Sequence, residues 1–185
     1  LRAVVACRSL KPEIDALLAQ QNEHNIYVHY MDQNLHRTPD FMPAKIQAAV
    51  DEVSRLCDGP IVLGYGLCAN GIVGVVAPRQ GLIVPRVHDC IALFLGSRKA
   101  YRKAFQERPG TYYLTPGWVA EEKDPLGFLE NDYVPRVGRD EAVCAAKEEL
   151  QHYTHMVLIN TPAVQDTAAL QNRARANCQF FNKSY

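Results

Sequence analysis

Short apolar runs alternate with segments of helical period along the whole chain, and this alternation most constrains the fold. β-branched and other apolar residues fill runs of strand length, while apolar residues at helical spacing mark the segments between them. The predicted strands are residues 1–7, 25–31, 59–66, 81–87, 111–116 and 155–161, and the predicted helices are 11–22, 42–57, 90–106, 139–152 and a last one from about Ala163. Strands that alternate with helices pair in parallel and are covered on both faces.

We therefore expect one α/β domain over residues 1–185, with a mostly parallel sheet of five or six strands of the Rossmann or flavodoxin-like kind. No linker divides the chain, and residues 117–138, rich in Gly, Pro and charge, are predicted to form a long loop or lid. The chain starts inside a strand and ends in a polar helical stretch without a stop signal. We expect it to be clipped at both termini.

The charge balance and the hydropathy exclude several classes of partner. Basic and acidic residues number 20 each, so the net charge is zero and we expect no nucleic-acid partner. No apolar run approaches the ~20 residues of a membrane span, and there is no secretory signal. A cytoplasmic location follows as the expectation, and there cysteines are more often metal-binding or catalytic than paired as disulfides.

Three of the six cysteines stand where predicted strands end. Cys7 ends the first strand, Cys68 follows the third, and Cys90 follows the fourth together with His88. The other cysteines, Cys57, Cys144 and Cys178, lie inside helical patterns. Ligands of such folds bind beyond the carboxyl ends of the strands, at the point where the strand order reverses. In the order 2-1-3-4-5 these side chains converge, and in the order 3-2-1-4-5 they spread along the same edge.

Cysteine and histidine are zinc ligands, and Cys7, Cys68, Cys90 and His88 supply up to four of them. Three ligands would leave an open position for a substrate, as catalytic zinc sites do. An iron–sulfur cluster on the three cysteines is the competing interpretation. Each cysteine alone is more typical of a small buried hydrophobe. The segment VHDC (87–90) adds a His-x-Cys pair similar to that of thiol-alkylating zinc methyltransferases, on a different fold.

Further residues along the same edge are predicted to serve a ligand. Gly64, Gly66 and Gly71 would let the turn fold tightly and let a ligand approach its backbone. Arg86 would hold an anionic substrate, with a surface salt bridge as the alternative. His88 would be a metal ligand or a proton carrier. Trp118 would close over the site as part of a lid, or else pack at the edge of the core.

Three motifs, LGYGLCANG (63–71), VPRVHDCIALFLGSR (84–98) and TYYLTPGW (111–118), occur in this order. With them, nearly the whole chain resembles the DUF1638 family of bacterial and archaeal proteins. That resemblance implies a one-carbon context, because members are often encoded near corrinoid-dependent methyl-transfer genes, and so a corrinoid protein as a partner.

Two functional classes follow from the sequence. The first is a metal-dependent transferase that acts on a small thiol or one-carbon substrate, because zinc activates a bound thiol without a general base. The second is a carrier that captures a metal or metallo-cofactor without chemistry of its own. A lid and an open coordination position favour the enzyme. Labile thiolates and the lack of an evident general base favour the carrier.

Overall fold

The computed structural model describes residues 1–22, 24–162 and 167–185. The chain divides into two compact units, Leu1–Tyr101 and Arg102–Tyr185, each with a parallel sheet and a buried apolar cluster of its own. The α/β class is therefore confirmed, and a single domain over 1–185 stays a prediction. None of the helices in the described ranges has both the length and the apolar character needed to cross a bilayer.

The first unit is a four-stranded parallel sheet in the order β2-β1-β3-β4. Its elements are β1 (Arg2–Cys7), α1 (Lys11–Gln20), β2 (Ile26–Met31), α2 (Met42–Ser54), β3 (Ile61–Gly64), β4 (Leu82–Ile83), α3 (Cys90–Phe94) and the first residues of α4 (Arg98–Glu107). Short 3-10 turns follow β1 at Arg8–Leu10 and follow β2 at Gln33–Arg37 and Pro39–Phe41.

Helix α2 covers one face of this sheet because its apolar side chains recur at helical spacing. Met42, Ile46, Val50 and Val53 are fully buried. They share a core cluster with alternate residues of the central strands β1 and β3, whose side chains point to the same face. This packing holds β1 and β3 side by side, so their carboxyl ends are neighbours.

Within the described ranges the strands form a four-stranded and a two-stranded sheet, and the predicted single sheet of five or six strands stays a prediction. Strand β4 pairs over only two residues, and Pro85 soon after it lacks the amide that a longer ladder needs. The predicted helix 90–106 is also two helices. Gly96 interrupts it with a φ of +79°, and Ser97 accepts a hydrogen bond from the Ala100 amide at the new start.

The second unit pairs β5 (Thr111–Leu114) with β6 (His155–Leu158) in parallel. Its helices are the rest of α4, α5 (Pro116–Ala120), α6 (Pro125–Phe128), a π-helical turn Leu129–Tyr133, α7 (Val134–Val137), α8 (Arg139–Glu149) and α9 (Ala168–Phe181). The predicted loop over 117–138 is wrong, because its prolines sit in first helical turns, where a missing amide costs nothing. The predicted start of the last helix, near Ala163, lies outside the described residues.

A buried carboxylate ties the α5–α6 segment to α9. Asp124 is fully buried and accepts hydrogen bonds from Arg173 Nε at 2.9 Å, Arg173 Nη2 at 3.2 Å and Asn177 Nδ2 at 2.5 Å. Asn177 Oδ1 in turn accepts a bond from the Leu126 amide at 3.0 Å. The network is satisfied within the protein, so we assign it a structural role.

Candidate functional site

The order of the strands puts the reversal point of the first sheet between β1 and β3. The chain passes from β1 to β2 on one side, and from β3 to β4 on the other. Cys7 is the last residue of β1, where it pairs with Met31 of β2. Cys68 follows the end of β3 by four residues. The carboxyl edge at this reversal point is where folds of this kind bind ligands.

The loop after β3 runs beside the loop after β4. The Leu67 amide donates to the Val87 carbonyl at 3.1 Å, and the Cys68 amide donates to the His88 carbonyl at 3.0 Å. Gly66 permits this approach, because a Cβ at that position would lie 2.7 Å from the Asp89 Cα. These two bonds hold the loops side by side and bring Cys68 next to Cys90.

Cys68 stands in a strained turn. Cys68, Ala69 and Asn70 have φ values of +45°, +57° and +65°, three successive non-glycine residues in the left-handed region. The Gly71 amide closes the turn on the Cys68 carbonyl at 3.1 Å. Each such residue costs about 1–2 kcal/mol, and strain of this kind concentrates at functional sites.

The three thiols at this edge share one electrostatic environment. Ser9 Oγ donates to Cys7 Sγ at 3.2 Å. Burial raises the pKa of all three thiols, that of Cys68 to about 11. For Cys68 and Cys90 the charges of the neighbouring thiolates raise the pKa further. The amides of Gly66 and Cys90 lower the pKa of Cys68, but by less.

Tyr65 lies among these thiols, and the sequence prediction did not include it. Its side chain is 2% exposed, and its hydroxyl has no nitrogen or oxygen partner in the described part of the chain, but it lies close enough to the Cys7 thiol to lower the pKa of that thiol through a hydrogen bond. Burial raises the pKa of this hydroxyl, and the charges of Cys7, Cys68 and Cys90 raise it further, followed by that of Asp32. We call Cys7, Cys68, Cys90 and Tyr65 the thiol cluster. The sequence signal was a tyrosine between two glycines directly after a buried strand.

His88 stands at the rim of the thiol cluster, because its carbonyl accepts from the Cys68 amide. The His88 side chain is 78% exposed, with Nδ1 3.6 Å from Asp89 Oδ2. Asp89 accepts a bond from the Ala92 amide at 3.3 Å and so caps α3. Arg86 is exposed. The roles of His88 as a ligand or proton carrier and of Arg86 as an anion-binding residue stay predictions.

The three glycines of the GYGLCANG loop accommodate other parts of the protein. A Cβ at Gly64 would lie 2.6 Å from the Ala6 Cβ, a Cβ at Gly66 would meet the Asp89 backbone, and one at Gly71 would collide with Met42. Close packing of three chain segments therefore requires all three glycines. Their predicted role in letting a ligand approach the backbone stays a prediction.

Trp118 belongs to the second unit, in helix α5. Thr115 Oγ1 caps that helix by accepting from the Trp118 amide at 3.3 Å. The indole packs edge-on against Tyr112, with 6.2 Å between ring centroids, and Tyr112 packs against Tyr153 at 5.1 Å. These contacts form an aromatic cluster within the second unit, and the predicted cover over the thiols stays a prediction.

The cysteines are free thiols, and they do not form a metal site in the structure. All six are free. Among the residues that the structure describes, no three or more His, Cys, Asp or Glu side chains are already arranged to hold a metal ion. The donor chemistry of the thiol cluster suits a thiophilic metal, and binding one requires the side chains to rotate and lose protons.

Comparison with known proteins gives one match. The family model described as "Protein of unknown function (DUF1638)" covers residues 30–185 and confirms the predicted resemblance. No curated protein and no solved structure matches the chain.

Proposed function

We propose that this chain, which belongs to the DUF1638 family, binds a thiophilic transition metal, zinc first, through Cys7, Cys68 and Cys90. The observation that carries the proposal is the convergence of three thiols, from three strand ends, on the reversal point of a parallel sheet. We also propose that the fold is of the flavodoxin-like class, in which ligands bind at the reversal point of the parallel sheet.

The electrostatics of the thiol cluster favour a metal over a cysteine nucleophile. Nucleophilic and redox cysteines lie beside cationic side chains that lower the thiol pKa. Here the pKa values are raised, and no basic side chain is among the leading contributions to any of them. The thiolate form therefore needs a positive charge from outside the protein, and a divalent metal ion supplies it.

The activity we propose is that of a metal-dependent transferase, which acts on a small thiol or on a one-carbon substrate. The reaction would take place in the cytoplasm, with a corrinoid protein as the methyl donor. A bound zinc ion would supply Lewis acidity, which lowers the pKa of a substrate thiol. The chain would contribute the three thiol ligands, the buried Tyr65 hydroxyl next to them, and His88 at the rim. Because the metal lowers the pKa of the substrate thiol, this scheme needs no general base in the thiol cluster to remove the thiol proton.

The metal content of cysteine variants tests the site. The full chain is purified anaerobically without chelator as wild type, Cys68→Ser and Cys90→Ser, with exposed Cys144→Ser as the control. We expect one metal per chain in wild type and in the control, and loss of it in the other two. A colourless protein indicates zinc, and a brown one indicates the iron–sulfur alternative. Full metal in both site variants places the metal elsewhere and refutes the proposal.

A transfer assay separates the enzyme from the carrier. Metal-loaded protein is incubated with a methylated corrinoid donor and a panel of small thiols, and the methylated thiols are quantified. Turnover that disappears in Cys68→Ser supports the transferase. Stoichiometric metal without turnover of any thiol, together with transfer of that metal to an acceptor protein or chelator, supports the carrier.

A further inference from the structure

Three buried side-chain oxygens at the carboxyl edge of the first sheet have no nitrogen or oxygen hydrogen-bond partner in the described part of the chain. They are Gln33 Oε1, Asn34 Oδ1 and the Tyr65 hydroxyl. Gln33 is only 3% exposed. Buried polar atoms without partners are rare in folded proteins, because each has lost its bonds to water, so each needs an explanation.

These oxygens lie at the strand ends that carry the thiol cluster. Gln33 stands between Met31 and Leu35, and both of these pack in the core cluster that holds Cys7 and Tyr65. Met31 pairs with Cys7 across β1 and β2. The charge of Asp32 also contributes to the raised pKa of Cys7 and Tyr65, so the start of the turn after β2 lies close to the thiols.

The chemistry of the three atoms indicates what they would bind. Two are amide oxygens, which only accept hydrogen bonds, and the third is a hydroxyl, which accepts or donates. A ligand that satisfies them must bring several donors. Asp32 adds a negative charge beside them, its carboxylate accepting from the Asn34 amide at 2.7 Å. An ammonium group has three N–H donors and a positive charge, and the negative charge of Asp32 favours that positive charge.

We propose that Gln33, Asn34 and Tyr65 form a polar subsite beside the thiol cluster, which binds the ammonium group of a small aminothiol. The inference rests on the proposed function in one respect, because the proposed metal would bind the thiol of that ligand while the polar subsite binds its ammonium group. It narrows the substrate class from thiols in general to thiols that carry an amino group within a few bonds of the sulfur.

Melting temperatures test the subsite without metal or ligand. An oxygen kept for a ligand has no partner in the free protein, so its removal in Gln33→Met raises the melting temperature by about 2–4 °C. Gln80→Met is the matched control. Gln80 Nε2 donates to the Ser54 and Cys57 carbonyls at 2.6 and 3.0 Å, so we expect its loss to lower the melting temperature. A similar decrease in Gln33→Met overturns the subsite.

Ligand titration tests the chemical class. Cobalt replaces the metal, and its visible spectrum reports thiol binding. We expect 2-aminoethanethiol to bind wild-type protein at least tenfold more tightly than 1-propanethiol, which has a methyl group in place of the ammonium. Gln33→Met abolishes the preference and Gln33→Glu keeps it. Equal affinities for the two thiols in wild type overturn the inference.

The two arms separate this inference from the metal proposal. A chain that takes up no metal refutes the metal site, and the melting comparison then decides the polar subsite alone. A chain that binds metal but shows no preference for the aminothiol keeps the metal proposal and refutes the subsite.

Discussion

The apparent zinc affinity should rise steeply with pH, because the thiol cluster holds its protons tightly. Burial raises the pKa of Cys7, Cys68 and Cys90 above the ordinary thiol value, so all three are protonated in metal-free protein near neutral pH. Each thiol that binds zinc releases one proton, and the association constant then rises tenfold per pH unit for each of them. Three thiol ligands predict a rise of about 1,000-fold per unit between pH 6 and 8.

The magnitude for one ligand follows from its pKa. The pKa of Cys68 is about 11, against 9.0 for an ordinary thiol. One pKa unit is about 1.4 kcal/mol, so forming this thiolate in the folded protein costs about 3 kcal/mol more than forming an ordinary one, or roughly 100-fold in zinc affinity at any pH below 9. The cost is recovered as the pH approaches 11.

The assay is a competition titration against a chromophoric chelator of known zinc affinity at each pH, with proton release measured in weakly buffered solution. Wild type and the exposed-site variant Cys144→Ser should give the same slope, near three in the logarithm of affinity per pH unit. Cys68→Ser should reduce the slope by one. A flat profile, or a slope of one in wild type, would show that the three thiols do not act together as ligands.

Three further predictions concern stability, each measured by urea unfolding. Without metal, the free energy of unfolding should fall by about 2–3 kcal/mol between pH 9 and 11 from Cys68 alone, because the folded state then binds more protons than the unfolded chain; Cys68→Ala should flatten the decline. Gly66→Ala should cost more than about 2 kcal/mol because its Cβ would meet the Asp89 backbone, whereas Gly59→Ala, with nothing within 4 Å, should stay within about 0.5. Asp124→Asn should cost about 3 kcal/mol, while Glu130→Gln, in an exposed pair with Arg139, should cost under about 1. If either member of a matched pair behaves like the other, the contact named for it does not determine stability.

The sequence was sufficient to predict the edge on which the cysteines meet. The apolar runs of β1 and β3 are buried because they occupy the centre of the sheet, and burial is what the sequence pattern reports. Residues directly after such runs therefore lie at the carboxyl edge of the sheet, whatever the conformation of the loops. This is why Cys7, Cys68 and Cys90 could be grouped without any compact cysteine motif.

Other features of the site depend on neighbours that the sequence does not reveal. A glycine in the sequence indicates that a side chain does not fit, but not whether a ligand or another chain segment fills the space. At Gly66 the Asp89 backbone fills it. The side chain of His88 points to solvent because its backbone carbonyl pairs with the Cys68 amide, a contact set by the register of two loops. Tyr65 resembled an ordinary core residue, and only the position of its buried hydroxyl among the three thiols distinguishes it.

The distribution of the thiol cluster over three strand ends has a consequence for biosynthesis. A compact pair of cysteines can capture a metal while the chain is still being made, but no short peptide of this protein carries two of the three thiols. Uptake of the proposed metal would have to wait until β1, β3 and β4 have paired in register, because a slip of one residue would turn the side chains to the opposite face. A bound metal would therefore indicate that the strands are paired in register, because a misfolded chain would not bind the metal.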